Sequence, residues 1–437
     1  MSSVQIHPST LKGSIAIAPS KSMMQRVCAA ALLYKGKTII QNPGFSNDDK
    51  TALHIIQLLG ANVTINDTSI SIISNGIQPI STTIDCSESG LSVRMFTSLA
   101  ALYFDTMTIE GEGSLLKRSL VFFDEVYPTL NVQILSNKGF LPLEIKGPLV
   151  SRNISIDGSK SSQYLTGLLM AFSHQINNDD SIAIDSEICV EVNNLNSKPY
   201  IDMTLQVMQH FNMLMPIHKN YNSFTFIKKH FETKSYPQKT INIEGDWSGA
   251  AFFLVAGAIH GNITVKELRH DSLQADKAIM DVLKNCEAEF IMLENEIIFQ
   301  KKSILKAFQF DATDCPDLFP PLVCLAAFCN GSSTIVGVNR LYNKESNRAL
   351  SLKSEFKKLG ISIDIDEDKM MIYPSSNIKS STINSHNDHR IAMACAIAAT
   401  KANDVVTIEN AEAVAKSYPN FYRDLIQLGV KIDDLII

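Results

Sequence analysis

Seven cationic side chains stand out from an acidic background, and each opens or flanks an apolar run. SKSMMQR places Lys21, Ser22 and Arg26 within about one helical turn, two cations and a hydroxyl that together suit a phosphate, or else a serine cap with solvated bases. IDGSKSSQYL puts Ser161, Ser162 and Gln163 at a helix start, where small hydroxyls and unpaired backbone N–H groups form either a phosphate cradle or an ordinary cap. CSESGLSVR supplies Gly90, a structural turn or a point of close backbone approach, with Arg94 one turn later. Arg118 in GSLLKRS reads as a loop arginine, a type that is usually solvated. YNKESNR brings Lys344, Glu345 and Arg348 together at helical spacing. They are a surface helix start with a charge pair, or a carboxylate whose proton affinity is tuned by cations. DATDCPDLFPP carries Asp311, Asp314 and Asp317, the last either an N-cap or a base at a buried helix end. NDHRIAM sets Asp388, His389 and Arg390 directly against an apolar run, and VAKSYPNF adds Lys416 after a strand. Against a net charge of -6, the seven cations Lys21, Arg26, Arg118, Lys344, Arg348, Arg390 and Lys416 favour one concentrated anion site between the two halves of the chain.

Two interleaved series of elements must position these residues. The first, from ALHIIQLLGANVTINDTSISI to FYRDLIQLGVKIDDLI, repeats six times as an amphipathic helix ending near Gly or Asn and followed by alternating strands. The second also recurs six times: SKSMMQRVCAAALLYKG, SESGLSVRMFTSLAALY, SSQYLTGLLMAFS, DWSGAAFFLVAGAIHG, DCPDLFPPLVCLAAFCNG and NDHRIAMACAIAATKAND. Each is a polar opening followed by a helix apolar on all sides, which belongs inside a domain. Three units per half predict two similar α/β domains with buried helices and outer sheets. A linker, KSYPQKTINIEGD, lies near residue 240. Helix N-termini carry unpaired N–H groups and partial positive charge, so converging openings would bind a small, highly anionic molecule.

At 437 residues, two domains are the default. The acidic balance, without blocks of like charge, argues against nucleic acid or a membrane surface as partner. No secretory leader or spanning apolar run is recognisable. Eight cysteines without paired or metal-type spacing read as buried free thiols in a reducing cytoplasm.

Together, SKSMMQR, SGLSVR, GSKSSQYLTGLLM, NSKPYIDMTLQVM, EGDWSGAAFFL, CPDLF, KESNR, NDHRIAM and AKSYPNFY follow the order and approximate spacing of the 5-enolpyruvylshikimate-3-phosphate synthase family, which the chain resembles along its whole length. The resemblance implies transfer of the enolpyruvyl group of phosphoenolpyruvate to the 5-hydroxyl of shikimate 3-phosphate by addition and elimination, releasing phosphate. It implies the inside-out α/β fold of enolpyruvyl transferases, with six βαβαββ-type units, three per domain. One domain would be discontinuous, 1–19 with 244–437, carrying mainly the phosphoenolpyruvate and acid/base residues. The other, 20–243, would carry mainly the shikimate 3-phosphate residues, with the active site in the interdomain cleft. By the same resemblance Lys21, Ser22, Arg26, Ser161, Ser162, Gln163, Ser197, Tyr200, Asp317 and Lys344 would hold shikimate 3-phosphate. Lys21, Gly90, Arg118, Gln163, Arg348, Arg390 and Lys416 would surround phosphoenolpyruvate, and Lys21, Asp317 and Glu345 would be catalytic. Asp388 and His389 would hold Arg390 and its helix start. No metal or organic cofactor is called for, and a cytoplasmic monomer acting on two small molecules is expected.

Five positions depart from the family pattern. Glu88 stands where Asn is usual and puts an extra carboxylate near the expected phosphate; Ser119 replaces Pro, Asn347 an Asp, Gln25 an Asn, and Arg340 an Asn ligand. The fold-sharing UDP-N-acetylglucosamine enolpyruvyl transferases generally carry a reactive Cys or Asp near the position of Arg118, and GEGSLLKRS has neither. A non-catalytic sensor of phosphorylated metabolites would have no need of Glu345 and Lys21.

Overall fold

The six apolar runs form helices Lys21–Leu33, Gly90–Ala100, Ser162–Asn178, Trp247–His260, Phe319–Ala327 and His389–Ala399 in the computed structural model. Its described residues are 2–66, 68–229, 235–301 and 304–434. Asp67 in the first amphipathic segment, Lys234 at the start of the linker, and Leu435 and Ile436 of the last segment lie outside them. Every residue of Trp247–His260 and of His389–Ala399 is buried, as helices without a polar face require. The chain forms two compact units, Met1–Ser20 with Glu244–Ile437, and Lys21–Ile243. Within the Lys21–Ile243 unit the Lys21, Gly90 and Ser162 helices pack on one another, and within the other the Trp247, Phe319 and His389 helices do the same.

Among the described residues six four-stranded sheets surround these helices, three in each unit. Each has one parallel pair followed by antiparallel neighbours. Thr83–Asp85 runs parallel to Thr106–Glu110 across the Gly90 helix, and Phe140–Lys146 then pairs antiparallel with both Thr106–Glu110 and Gln133–Asn137. A parallel pair needs such a crossover, so the buried helix is a topological necessity as well as core. Along Phe140–Lys146, Leu141, Leu143 and Ile145 are buried while Pro142, Glu144 and Lys146 are exposed, the alternation of a sheet with one wet face.

Three strands pair out of sequence order. Gly13–Ala16 precedes the Lys21 helix yet pairs with Ile263–Lys266, and Lys239–Asn242 precedes the Trp247 helix yet pairs with Gly36–Gln41. Ser3–Ile6 lies between Val406–Glu409 and Ile432–Asp433, closing the last sheet with the first strand of the chain.

The amphipathic helices share one terminator. Asn47–Leu58 starts with a capping box between Ser46 and Asp49 and buries Ala52, Leu53, Ile55 and Ile56. Its chain direction reverses at Gly60, φ 104°. Left-handed residues follow the other five at Asn131, Asn212, Glu287, Gly360 and Gly429. They turn the chain so that the N–H groups just beyond each helix donate back to carbonyls of its last turn.

Candidate functional site

In the Lys21–Ile243 unit the cations gather at helix openings. Arg26 is only 1% exposed although it lies one turn into its helix. Its Nε donates to Thr204 Oγ1 at 2.9 Å and its Nη1 to the Ser22 carbonyl at 2.8 Å, while the Tyr200 ring lies 5.6 Å from its guanidinium carbon. Burial lowers this guanidinium to about 10, with Tyr200 partly opposing. Lys21, at the first helical position, donates to Asp48 at 2.8 Å. Ser197, φ 58°, is buried at the start of the Lys198–His210 helix, where its carbonyl accepts the Tyr200 N–H at 3.1 Å.

A second group surrounds Gly90. Arg94 donates to Gln163 Oε1 at 2.8 Å and to the Gly90 carbonyl at 3.2 Å, and Ser161 caps the next helix by accepting the Gln163 N–H at 3.2 Å; Ser162 beside it is buried. A Cβ on residue 90 would lie 2.8 Å from Arg118 Nη1 and 3.0 Å from Arg94 Nη1, so any side chain there would push these guanidiniums from where they stand. Arg118 is 7% exposed rather than solvated. It follows the turn Gly113–Lys117 and donates to Ser114 Oγ at 3.2 Å. Glu88 Oε2 accepts the Ser114 N–H at 2.9 Å, tying that turn to the loop before Gly90. The extra carboxylate therefore braces the segment that carries Arg118.

In the other unit the charges interlock. Arg348 is fully buried, and its guanidinium reaches three carboxylates: Nη1 to Asp317 at 2.9 Å, Nη2 to Glu345 at 2.5 Å, and Nε to Asp388 at 2.9 Å. The surface-helix reading of KESNR is thereby corrected. Lys344 and Glu345 precede a helix, Arg348–Lys358, whose Asn347 cap accepts the Leu350 N–H at 3.3 Å, so the Asn347 departure keeps a capping side chain. Asp317 sits in the turn Pro316–Leu318 and makes no side-chain cap. It receives Lys344 at 3.2 Å, Arg348 at 2.9 Å and Arg390 at 3.0 Å. Burial alone would push its carboxyl up, but Arg390, Lys344 and Arg348 outweigh that and hold it well below the usual range. Burial is the largest influence on Lys344 and lowers its ammonium, with Asp317 only partly opposing.

Asp388 caps the His389 helix through the Arg390 N–H at 3.0 Å while also bonding Arg348. Lys416 donates to the Asn387 carbonyl at 2.8 Å, in the turn that leads into Asp388. The predicted residues thus fall into three local groups, around Arg26, around Gly90 and around Arg348. Sequence reasoning passed over Asp48 and Thr204 and left Arg94 unassigned, although its spacing one turn after Gly90 marked it. It also missed Asp276, which is fully buried, accepts from Ser248 Oγ and is pushed up to about 7 by burial and by Asp317.

The family model for EPSP synthase (3-phosphoshikimate 1-carboxyvinyltransferase) matches residues 6–425. The 3-phosphoshikimate 1-carboxyvinyltransferase of Clostridium kluyveri is 35% identical over 435 residues, 99% of either chain. That of Clostridium acetobutylicum is 36% identical over 434 residues, 98% of either chain. Among solved structures, an EPSP synthase from Acinetobacter baumannii aligns with a TM-score of 0.79 at 22% identity, covering 99% of this chain and 100% of its own. The enolpyruvyl transferase NikO from Streptomyces tendae aligns with a TM-score of 0.74 at 14% identity, covering 99% of this chain and 98% of its own. At such identities the structural likeness speaks for the inside-out α/β fold and leaves the acceptor open.

Proposed function

The chain belongs to the EPSP synthase family, and from that premise we propose that it transfers the enolpyruvyl group of phosphoenolpyruvate to the 5-hydroxyl of shikimate 3-phosphate, with the two units supplying different parts of one reaction. The observation that carries the chemistry is the placement of two carboxylates, Asp317 and Glu345, on the single buried guanidinium of Arg348.

Addition requires a proton delivered to C3 of the enol phosphate and one taken from the acceptor hydroxyl as its oxygen bonds to C2. Elimination takes that proton back from C3 and expels phosphate, which leaves with the proton given up by the hydroxyl, so the sequence is proton-neutral overall. Glu345, one-fifth exposed and fixed by Arg348, is the group for the C3 proton, with Lys21 as a further acid or base. Asp317 accepts from and orients the 5-hydroxyl, helped by Lys344. Three cations make it a weak base, so a substrate carboxylate that drew Arg390 away would raise its basicity at the moment of reaction.

Ser22, Arg26, Ser161, Ser162, Gln163, Ser197 and Tyr200 hold shikimate 3-phosphate, and Lys21 contacts both ligands. Gly90, Arg118, Gln163, Arg348, Arg390 and Lys416 take phosphoenolpyruvate, Arg348 while it also holds Asp317, Glu345 and Asp388. Fixing both reactants in this way can lower the barrier by about 7 to 11 kcal/mol.

We place the enzyme in the cytoplasm as a monomer. Eight free cysteines, seven of them buried, support a reducing compartment, and no described helix is long and apolar enough to cross a membrane. Phosphate release from phosphoenolpyruvate, measured with shikimate 3-phosphate and with UDP-N-acetylglucosamine as acceptors, tests the reading. Turnover with shikimate 3-phosphate alone is expected; turnover only with the sugar nucleotide, or with neither, overturns it.

A further inference from the structure

The turn ahead of Asp388 is held in an unfavourable backbone conformation by more contacts than its position on the surface would require. His386 and Asn387 are consecutive left-handed residues, φ 54° and 55°. That region is sparsely populated for residues with a Cβ, and Asn tolerates it better than most. The His386 N–H donates to Asn384 Oδ1 at 2.7 Å, the Asn387 N–H to Ser385 Oγ at 3.2 Å, and the Asp388 N–H to the Ser385 carbonyl at 2.9 Å. Ser385 Oγ in turn donates to the Asn410 carbonyl at 2.9 Å.

One buried carboxylate anchors the outside of the turn. Glu355, 2% exposed on the Arg348–Lys358 helix, accepts from the Asn384 N–H at 3.0 Å, Lys358 at 2.6 Å and Ser354 at 3.0 Å, and its Oε1 lies 2.9 Å from His386 Nε2. The same helix begins with the guanidinium that binds Asp388. The turn's last carbonyl, Asn387, receives Lys416. Lys416 and Arg390 are therefore both referenced to one short, strained segment, and Glu355 ties that segment to the helix of Arg348. Strain that persists under such over-determination is a mark of a functional constraint.

We propose that Glu355 and His386 are positioning residues, which set the spacing of Arg390 and Lys416 and through it the affinity for phosphoenolpyruvate. The inference rests on the assignment of those two cations to phosphoenolpyruvate given above.

The test compares two substitutions at the more exposed member of the pair. His386→Val removes the imidazole and places a β-branched residue at φ 54°; His386→Asn removes the imidazole but accepts that conformation. KM for phosphoenolpyruvate should rise about tenfold for Val and two- to threefold for Asn, while KM for shikimate 3-phosphate and kcat change less than twofold in either. Glu355→Ala should match or exceed the Val variant, with partial recovery in Glu355→Gln; thermal melting shows whether each is folded. Equal effects on both substrates, or no difference between Val and Asn, overturns the proposal while Arg390→Gln still raises KM for phosphoenolpyruvate. Were Arg390→Gln itself without effect on that KM, the ligand assignment would fall first and take this inference with it.

Discussion

Each unit buries one arginine almost completely, and the two are surrounded in opposite ways. Arg26 is held by Thr204, the Ser22 carbonyl and the face of Tyr200, all neutral, and burial lowers it to about 10. Arg348 is held by Asp317, Glu345 and Asp388. Burial would lower it too, but those carboxylates outweigh the effect and push it up. A guanidinium with neutral partners keeps its field available for an incoming dianion. One ringed by carboxylates has much of its field cancelled locally, so besides meeting a ligand it fixes the carboxylates themselves. The same residue type is thus a receptor alone in one unit and a scaffold as well in the other.

The contrast breaks most visibly at Glu345. Glu345→Gln retains an oxygen for Arg348 but cannot carry a proton, and turnover should fall about a hundred- to ten-thousandfold with either KM changed far less. Equal losses in turnover and binding would make Glu345 another scaffold. Arg348→Met comes next. It removes the guanidinium that Asp317, Glu345 and Asp388 share and leaves a buried gap, and urea unfolding should show about 3 to 5 kcal/mol lost; a loss near zero would end the scaffold reading.

The third effect is a slope against pH. Asp276 in one unit and Asp49 in the other are both pushed up to about 7 by burial, so each binds its proton more tightly in the folded chain. A raised carboxyl contributes stability that is lost as pH rises from about 4 to about 7, up to about 4 kcal/mol for a shift of this size. Asp276→Asn and Asp49→Asn should each flatten that part of the urea-midpoint profile. An unaltered profile in either variant would remove that group from the account.

Arg26→Met is the mildest change in stability, because Thr166 and Thr204 already bond each other at 3.0 Å and no carboxylate is stranded. Stability should move by less than about 1 kcal/mol while binding of shikimate 3-phosphate, measured by calorimetry, weakens about ten- to a hundredfold.

Much of this was written locally. Apolar runs such as WSGAAFFLVAGAIH could only be interior helices, and the Gly or Asn after five amphipathic helices marked their left-handed ends; Glu287 did the same job unannounced. Asp388 was legible as the residue that steadies Arg390. The surroundings of the charges were not legible. Arg118 in GSLLKRS read as a solvated loop arginine and KESNR left a surface helix start open beside a tuned carboxylate, because burial of a cation depends on partners 31 or 40 positions away, or on a turn braced by Glu88. Glu355 and Asp276 resembled any acidic residue of an amphipathic helix. The exchanged strands were hidden for the same reason: Gly13–Ala16 and Ile263–Lys266 are each ordinary strands, and nothing local names their partner.

The placement of Ser3–Ile6 also bears on the order in which a ribosome delivers the pieces. The segment 21–243 is continuous, and each of its three sheets is complete once Lys239–Asn242 has emerged. Ser3–Ile6 has no such early partner. It must wait until Val406–Glu409 and Ile432–Asp433 are synthesised more than about four hundred residues later. Translation therefore finishes the 21–243 unit while the other is still open, and loss of Ile432–Asp433 would leave Ser3–Ile6 without one of its neighbours.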